Sequence, residues 1–321
     1  MQERQVQTVL NLHNSGLLPE VIAMQLDVSK EEVIKIINGD RNRTEQEHYT
    51  RHDFNSDSSL LGMFYLDAVV NIDSIIKSAQ LEMWKSLKGG MAFNISTEDS
   101  QGVLATLSGS KATFVILYID IVGSTKLAMT LPVDKLAAII RAFTHEISLI
   151  VSAYGGYVLK YLGDAIMAFF PITERKLDLN MPCINAVQCA RAMVKTVKVG
   201  FNPVLLQEDY PDLNVRVGID VGEAVVVQYG WSSRSSTKNG GKDQSITKMP
   251  LHDILGYTVS VTSKITGIAE PNQIVIGQSV YDALDSQQRY GFRLLTIPPD
   301  KWNYESSKTG NVYRLYTTAS V

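Results

Sequence analysis

Cysteine is scarce in this 321-residue sequence, which contains only Cys183 and Cys189. So low a number excludes a small secreted domain held together by disulfides. The two residues lie six positions apart in a segment of helical pattern, a spacing that suits neither a disulfide within one helix nor a metal knuckle. We interpret both as reduced residues of the core.

The sequence also lacks a large net charge and a long apolar run. A formal net charge of -3 gives no general basic field for a nucleic-acid backbone, so DNA binding would require a local patch. Residues 1–10 contain no apolar core of a secretory signal. The run Leu60–Ile72 is shorter than the roughly 20 residues of a spanning helix, and it contains Asp67. These absences predict a cytoplasmic protein without a membrane span.

The length and composition are those of a globular protein of two domains, with 45% hydrophobic and 20% charged residues. Residues 1–44 predict a small all-helical module in which Ser29 and Glu32 form a capping box. This module resembles the helix-turn-helix domains of bacterial regulators. Its supposed recognition helix, Lys30–Asn38, carries as many acidic as basic side chains. A protein-interaction or dimerisation role is therefore favoured over DNA binding.

Residues 45–111 are predicted to connect this module to the main domain, residues 112–321. The stretch 39–57 is polar and has no apolar periodicity, which is typical of a linker. Ser58–Leu87 has the pattern of one amphipathic helix or a helix pair, and such a segment suits contact between two subunits. Residues 89–111, rich in Gly, Ser and Thr, then lead into the main domain.

From residue 112 onward, apolar strands alternate with amphipathic helices. The order predicts an α+β fold with a β-α-β-β-α-β core of the ferredoxin-like or palm type. The predicted elements are a strand "ATFVILYID", a helix 132–153, strands "YVLKY" and "AIMAFF" with a turn at "LGD", a helix 180–199, and a strand pair in "NVRVGIDVGEAVVVQY" bent at Gly222.

Two carboxylates follow strands of this predicted core. Asp120 ends the first strand and precedes a loop whose Gly123, Ser124 and Thr125 can let a phosphate approach the backbone. Asp164 lies in the hairpin between the next two strands. Because the strands can lie side by side, we expect both carboxylates at the same edge of the sheet. Paired carboxylates suit two magnesium ions and therefore phosphoryl transfer.

Four motifs carry a family resemblance: "YIDIVGST", "GGYVLKYLGDAIMAFF", "RVGIDVGEAVV" and "HDILGYTVSVTSKITGIA". In this order they resemble the catalytic domain of class III adenylyl and guanylyl cyclases, over about residues 113–316. The resemblance implies a phosphorus-oxygen lyase that converts a nucleoside triphosphate to a 3′,5′-cyclic monophosphate and pyrophosphate. It implies Asp120, Asp164 and the backbone carbonyl of Ile121 as ligands of two Mg²⁺ or Mn²⁺ ions.

The same resemblance implies how the base is bound. Lys160 matches the family's purine-contacting lysine, and Asp253 matches its acidic partner. A lysine donor and a carboxylate acceptor can together read the edge of adenine. ATP is therefore favoured, with GTP or a pyrimidine triphosphate left open. Tyr257 stands where many relatives have a small polar residue, so a large ring is expected near the base-binding side.

The sequence departs from the family pattern at two positions: Ser260 and Lys264 replace the usual asparagine and arginine. Lysine keeps the positive charge but lacks arginine's bidentate fork, and serine is shorter. Activity is therefore expected to be slower or the pocket to be shaped for another nucleotide. Lys301 and Lys308 are both candidates for the family's triphosphate-contacting lysine.

A polar segment, residues 231–248, is predicted to be a mobile loop. Closure over the substrate, with Arg234, Lys238 and Lys242 meeting phosphates, is an alternative to a solvated loop.

The family resemblance also implies a head-to-tail homodimer in which one subunit supplies Asp120 and Asp164 and the other supplies Lys160 and Asp253. Two rival hypotheses stay open. One is a degenerate nucleotide sensor that signals through the N-terminal helices. The other is a palm-type cyclic-dinucleotide synthase, although the hairpin here is "YLGDA", whereas that class is expected to have a "GGDEF"-like hairpin.

Overall fold

The computed structural model describes residues 3–14, 16–41, 70–89, 97–172, 179–237, 244–306 and 309–318. Residues 42–57 of the predicted linker, the first part of the amphipathic segment and Lys308 lie outside these residues, while the first three residues predicted as linker, 39–41, belong to the helix that ends at Arg41. The helices are α1 Glu3–Asn14, α2 Pro19–Leu26, α3 Lys30–Arg41, α4 Ile72–Leu87, α5 Glu98–Thr106, α6 Ser124–Thr130, α7 Val133–Ala153, α8 Asn180–Lys195, α9 Asn202–Gln207, α10 Tyr257–Ile268, α11 Gln278–Ala283 and α12 Ser286–Arg289. The strands are β1 Lys111–Ile121, β2 Tyr157–Leu162, β3 Ala165–Pro171, β4 Val215–Thr237, β5 Gln244–Leu255, β6 Ile274–Gly277, β7 Phe292–Leu294 and β8 Leu315–Thr318.

One mixed sheet joins these strands in the order β2-β3-β1-β4-β6-β8-β7, with β5 paired to β4. The first four strands of this order pair antiparallel throughout, as in a ferredoxin-like core. The predicted α+β class and β-α-β-β-α-β core are confirmed. Gly163, with φ of 69°, turns the chain between β2 and β3 at the predicted hairpin.

Successive side chains of β1 point to opposite faces of the sheet, and different helices cover the two faces. Val115, Leu117 and Ile119 join the larger core cluster under α7 and α8. Phe114 and Ile116 point to the opposite face, where α5 and α10 lie. The site described below is on this second face.

Three local predictions differ from the structure. The segment predicted as two strands bent at Gly222 is a single strand, β4. Gly222 lies where α10 packs closely against this strand, and the chain does not bend there. The predicted loop at residues 231–248 is largely hairpin, since Trp231 pairs with Pro250 and the ladder continues to Thr237 and Gln244. The Gly/Ser/Thr-rich connection contains α5, whose Leu104 is fully buried against the sheet.

The N-terminal helices share a continuous apolar core with the sheet domain. Gln80 of α4 is fully buried, and its amide joins α4 to two other segments. Its Oε1 accepts from the backbone N–H of Leu18, and its Nε2 donates to the carbonyls of Gly16 and Val199. Val199 belongs to a π-helical turn, Thr196–Phe201, that continues α8 toward α9. The boundary between residues 1–44 and the rest stays a prediction, although the contact is extensive.

Among the helices of the described residues, one, α7, is long and apolar enough to cross a membrane by length and composition. Half of its most apolar window is buried inside the protein, as in a core helix.

Candidate active site

Asp120 and Asp164 lie at the same end of neighbouring strands. Asp120 is the penultimate residue of β1 and continues the row of side chains on the α10 face. The β1–β3 register pairs Ile119 with Ile166, so its continuation brings the hairpin residue Asp164 beside the end of β1. Burial raises the pKa of Tyr118, and the charges of both carboxylates raise it further. Both carboxylates are therefore within electrostatic reach of one phenol.

Arg216 is a site residue that sequence reasoning did not identify. It lies directly opposite Asp120 in the β1–β4 register. Its Nε and Nη2 both donate to Asp120 Oδ2, at 2.9 and 2.6 Å. The sequence feature that could have identified it is an arginine inside an otherwise apolar strand, because a half-buried cation requires an anionic partner.

The residues at this end of the sheet fit a divalent cation. Oδ2 of Asp164 is enclosed and has no hydrogen-bond partner among the residues the structure describes. Carboxylate oxygens are ligands that hard cations prefer, and Asp120 supplies a second carboxylate. Ile121, with a buried side chain, follows Asp120 at the end of β1 and offers only its backbone. Within the described residues, no group of three or more His, Cys, Asp and Glu side chains forms a metal cluster.

The glycine loop follows directly. Gly123 has a φ of 73° and precedes α6, which begins at Ser124 and includes Thr125. This left-handed conformation is one that glycine adopts without strain. It lets the chain leave β1 and start a helix within three residues, so the loop stays beside the two carboxylates.

Lys160 and Asp253 form a direct ion pair. The Lys160 Nζ lies 2.5 Å from Asp253 Oδ2, and the two side chains are 33% and 22% exposed. Lys160 follows a bulge in β2, and Asp253 lies on β5 opposite Val227. The two residues are 93 positions apart, so only the folded sheet brings this donor and this acceptor together.

Three predicted residues of α10 share one exposed stripe. Tyr257, Ser260 and Lys264 are exposed and recur at helical spacing. The opposite side of α10 packs on β4 through a buried row of threonines, Thr258, Thr262 and Thr266. The stripe therefore faces away from the sheet, on the same side of the sheet as Asp120 and Arg216.

Other predicted contacts cannot be placed in this site. Lys308, Lys238 and Lys242 lie outside the described residues, and the side chain of Arg234 does too. Lys301 is exposed on the segment that precedes Trp302.

A family model described as the adenylate and guanylate cyclase catalytic domain matches residues 108–235. A cytidylate cyclase from Escherichia coli is 27% identical over 215 residues, which cover 64% of this chain and 44% of that protein. One from Staphylococcus aureus is 28% identical over 176 residues, 54% of this chain and 38% of that protein. The chain thus spans less than half the length of these two relatives. The adenylyl cyclase CyaB of P. aeruginosa aligns with a TM-score of 0.49 and 21% identity, over 66% of this chain and 96% of that one.

Proposed function

We propose that this chain, which belongs through residues 108–235 to the adenylate and guanylate cyclase catalytic domain family, is a nucleotidyl cyclase. In the reaction, the 3′ oxygen of a nucleoside triphosphate loses its proton and bonds to the α-phosphorus. The bond from that phosphorus to the β-phosphate oxygen breaks, and pyrophosphate leaves. The observation that carries the proposal is the pairing of Asp120 and Asp164 at one end of adjacent strands inside the matched segment.

Divalent cations held by Asp120, Asp164 and the backbone at Ile121 would supply charge neutralisation at the phosphates and activation of the hydroxyl. The enclosed Oδ2 of Asp164 is available for this role. Arg216 neutralises Asp120 when no cation is bound. A guanidinium at this position can turn to the phosphates once Asp120 binds a cation, because the planar fork of arginine matches both carboxylate and phosphate.

Lys160 and Asp253 would bind the base. Together they present one donor and one acceptor, and both adenine and cytosine carry an amino donor next to a ring-nitrogen acceptor. We place CTP first because two similar proteins are named cytidylate cyclases. ATP is the second candidate, because the lysine and carboxylate pair suits adenine by the same hydrogen bonds.

Ser260 and Lys264 would meet the ribose and the phosphoryl group from the exposed stripe of α10. The lysine ammonium provides positive charge where negative charge develops in the transition state. It lacks the two-pronged geometry of arginine, so slower turnover is expected than with an arginine at this position.

A second copy of the chain would complete each site. The β4–β5 hairpin exposes apolar side chains that a globular surface normally covers. The exposed set comprises Tyr229, Trp231, Met249, Leu251 and Leu255, which are 40% to 66% exposed. Contact through this hairpin would suit a two-fold dimer, in which the same surface patch is used twice.

The test incubates the full chain with ATP, GTP, CTP and UTP in equal amounts with Mn²⁺, and identifies products by mass spectrometry. We expect cyclic CMP as the main product, and loss of all product in Asp164→Ala. The exposed Asp282 of α11 provides the matched control, so Asp282→Asn should retain full activity. A cyclic dinucleotide would instead indicate the palm-type synthase. Tight nucleotide binding without pyrophosphate release from any substrate would indicate a nucleotide sensor.

A further inference from the structure

A buried carboxyl group, Asp220, lies in the first part of β4 and is not one of the proposed site residues. Its side chain is only 2% exposed. It shares a sheet face with Gly218 and Gly222, two positions before and after it. The carboxyl group therefore lies on the side of the sheet that α10 covers.

Asp220 is hydrogen-bonded to a distant part of the chain. The Tyr313 hydroxyl donates to Asp220 Oδ1 at 2.7 Å, and the backbone N–H of Val221 donates to the same oxygen at 2.9 Å. The Tyr313 oxygen in turn accepts from the backbone N–H of Ser279 at 3.0 Å. A Cβ at Gly277 would lie 2.4 Å from Asp220 Oδ1, so the end of β6 also presses on this pair.

The same pair adjoins α10. A Cβ at Gly218 would lie 2.3 Å from Thr266 Oγ1, and one at Gly222 would lie 2.2 Å from Thr258 Oγ1. The helix thus touches β4 on both sides of Asp220. Tyr313 packs in one apolar cluster with Val261 and Ile265 of α10.

The helix held in this way is the one that carries the exposed stripe. The outward side of α10 presents Tyr257, Ser260 and Lys264. The charge of Asp220 also contributes to the raised pKa of Tyr257, after the larger effect of burial. The carboxyl group and the first residue of the stripe are therefore electrostatically coupled.

We propose that Asp220 and Tyr313 are positioning residues, whose hydrogen bond fixes α10 against β4 and so sets the placement of Ser260 and Lys264 at the nucleotide. This inference rests on the proposed function for its catalytic part. Its structural part, the fixing of α10, does not depend on which reaction the site performs.

The protonation state of Asp220 affects how firmly α10 is held. Burial raises the pKa of Asp220 to about 7, against the opposing effect of the hydrogen bonds from Tyr313 and Val221. The packed arrangement therefore binds this proton more tightly than an arrangement in which water reaches the carboxyl group, and ionisation above that pH favours the looser arrangement. The titratable groups that interact with its charge are Tyr313, Tyr257 on α10 and, across the sheet, Cys183 on α8, while its neighbours in β1 and β6 are apolar. Placement of α10 is therefore expected to loosen as the pH rises through neutrality.

The first test measures kcat and KM of the full chain over about pH 5.5 to 8.5, the range in which such a carboxyl group would titrate. In the wild type kcat should fall through the neutral range. In Asp220→Asn, which keeps an acceptor but cannot ionise, kcat should stay near the low-pH value of the wild type and so exceed the wild type about tenfold at the upper end of the range, with KM nearly unchanged. Tyr313→Phe, which removes the hydrogen bond, should lower kcat over the whole range. The controls Asp282→Asn and Tyr290→Phe change an exposed carboxyl and an exposed phenol, and they should keep the wild-type profile.

The second test measures amide hydrogen exchange in residues 257–268 without nucleotide. At the upper end of the pH range, exchange should be slower in Asp220→Asn and faster in Tyr313→Phe than in the wild type, and unchanged in α7. If the wild type is active but Asp220→Asn has the pH profile and the exchange of the wild type, the positioning role alone is overturned. If the wild type makes no cyclic product but the exchange of α10 changes as expected in both variants, only the proposed reaction is overturned.

Discussion

Glu146 of α7 is a second carboxyl group that folding buries. Its side chain is 1% exposed at the contact between α7 and α4. Ser78 donates a hydrogen bond to it at 3.2 Å, and His145 Nδ1 lies 3.4 Å away. Burial raises its pKa to about 7, and the charge of Glu82 acts in the same direction. The folded protein therefore binds this proton more tightly than the unfolded chain does.

Replacing Glu146 by glutamine should stabilise the protein at neutral and higher pH. Below about pH 4.5, the pKa of this group in the unfolded chain, the carboxyl group is protonated in both states, and its burial carries no charge penalty. As the pH rises from there to about 7, only the unfolded chain loses the proton, so the free energy of unfolding of the wild type falls. Glutamine keeps the acceptor for Ser78 and carries no charge. The variant should thus exceed the wild type by at most about 3 kcal/mol above pH 7, and match it near pH 4.5.

Urea unfolding across this pH range measures the difference in the free energy of unfolding. Glu31→Gln, which changes an exposed carboxyl group of α3, serves as the control and should show no such dependence. A constant offset between Glu146→Gln and the wild type at all pH values would contradict the titration of Glu146.

At the scale of elements, the packing of α10 on β4 requires glycine. Gly222 lies where a Cβ would come within 2.2 Å of Thr258 Oγ1, but 3.5 Å from Thr258 Cβ. The conflict is thus with one hydroxyl group and not with the helix backbone. This is the reason that Gly222 is found within a continuous strand, where its backbone freedom is of no benefit.

Gly222→Ala should destabilise the protein by about 1–3 kcal/mol through overpacking and should lower activity by displacing α10. The double variant Gly222→Ala/Thr258→Ala should recover most of the stability, because it removes the conflicting oxygen. Thermal unfolding measures the stability of both variants. If the double variant stays as unstable as Gly222→Ala, the Thr258 hydroxyl is not the source of the conflict.

Gly267, also in α10, has open space at its Cβ position, so Gly267→Ala should stabilise the protein by about 0.5–1 kcal/mol. Thermal unfolding of this variant measures the gain.

At the scale of the whole molecule, the proposed site draws on two copies of the chain. Asp120 and Asp164 form one half, and the Lys160–Asp253 ion pair forms the other. In a two-fold dimer each half is present twice. Two chains with substitutions in different halves can therefore form a mixed dimer in which one of the two sites has both halves intact.

Mixing Asp164→Ala with Lys160→Ala protein should restore activity that neither has alone. Random exchange makes half of the dimers mixed, and each mixed dimer has one intact site, so about a quarter of wild-type activity is expected. Cyclic nucleotide formation after mixing and subunit exchange measures the effect. Mixing Asp164→Ala with Asp120→Ala is the control: both defects lie in the same half, so no site is intact. Equal activity in both mixtures would contradict a shared site.

Much of the fold was predictable because strong local patterns determine it. The apolar run of β1, the turn at Gly163 and the amphipathic α7 were each identified from spacing and composition alone. The helix α5 was not, since it is short, contains Gly102 and depends on burial of Leu104 against the sheet. The strand pairing of residues 231–237 with residues 244–250 was also missed, because a polar composition does not indicate strands whose pairing comes from the backbone.

For the site, the sequence by itself determined which chemistry-bearing residues are present and where each lies along a strand or helix. Asp120 and Asp164 were identified in this way, whereas Lys160 and Asp253 were identified through the family resemblance. Only the tertiary structure decided which side chains meet, as with Arg216 on Asp120 and Tyr313 on Asp220. Those partners are 96 and 93 positions apart, and their meeting depends on strand register and on how closely α10 approaches β4. Local sequence patterns carry no information on such long-range packing, because it is determined by the fit of whole elements to one another.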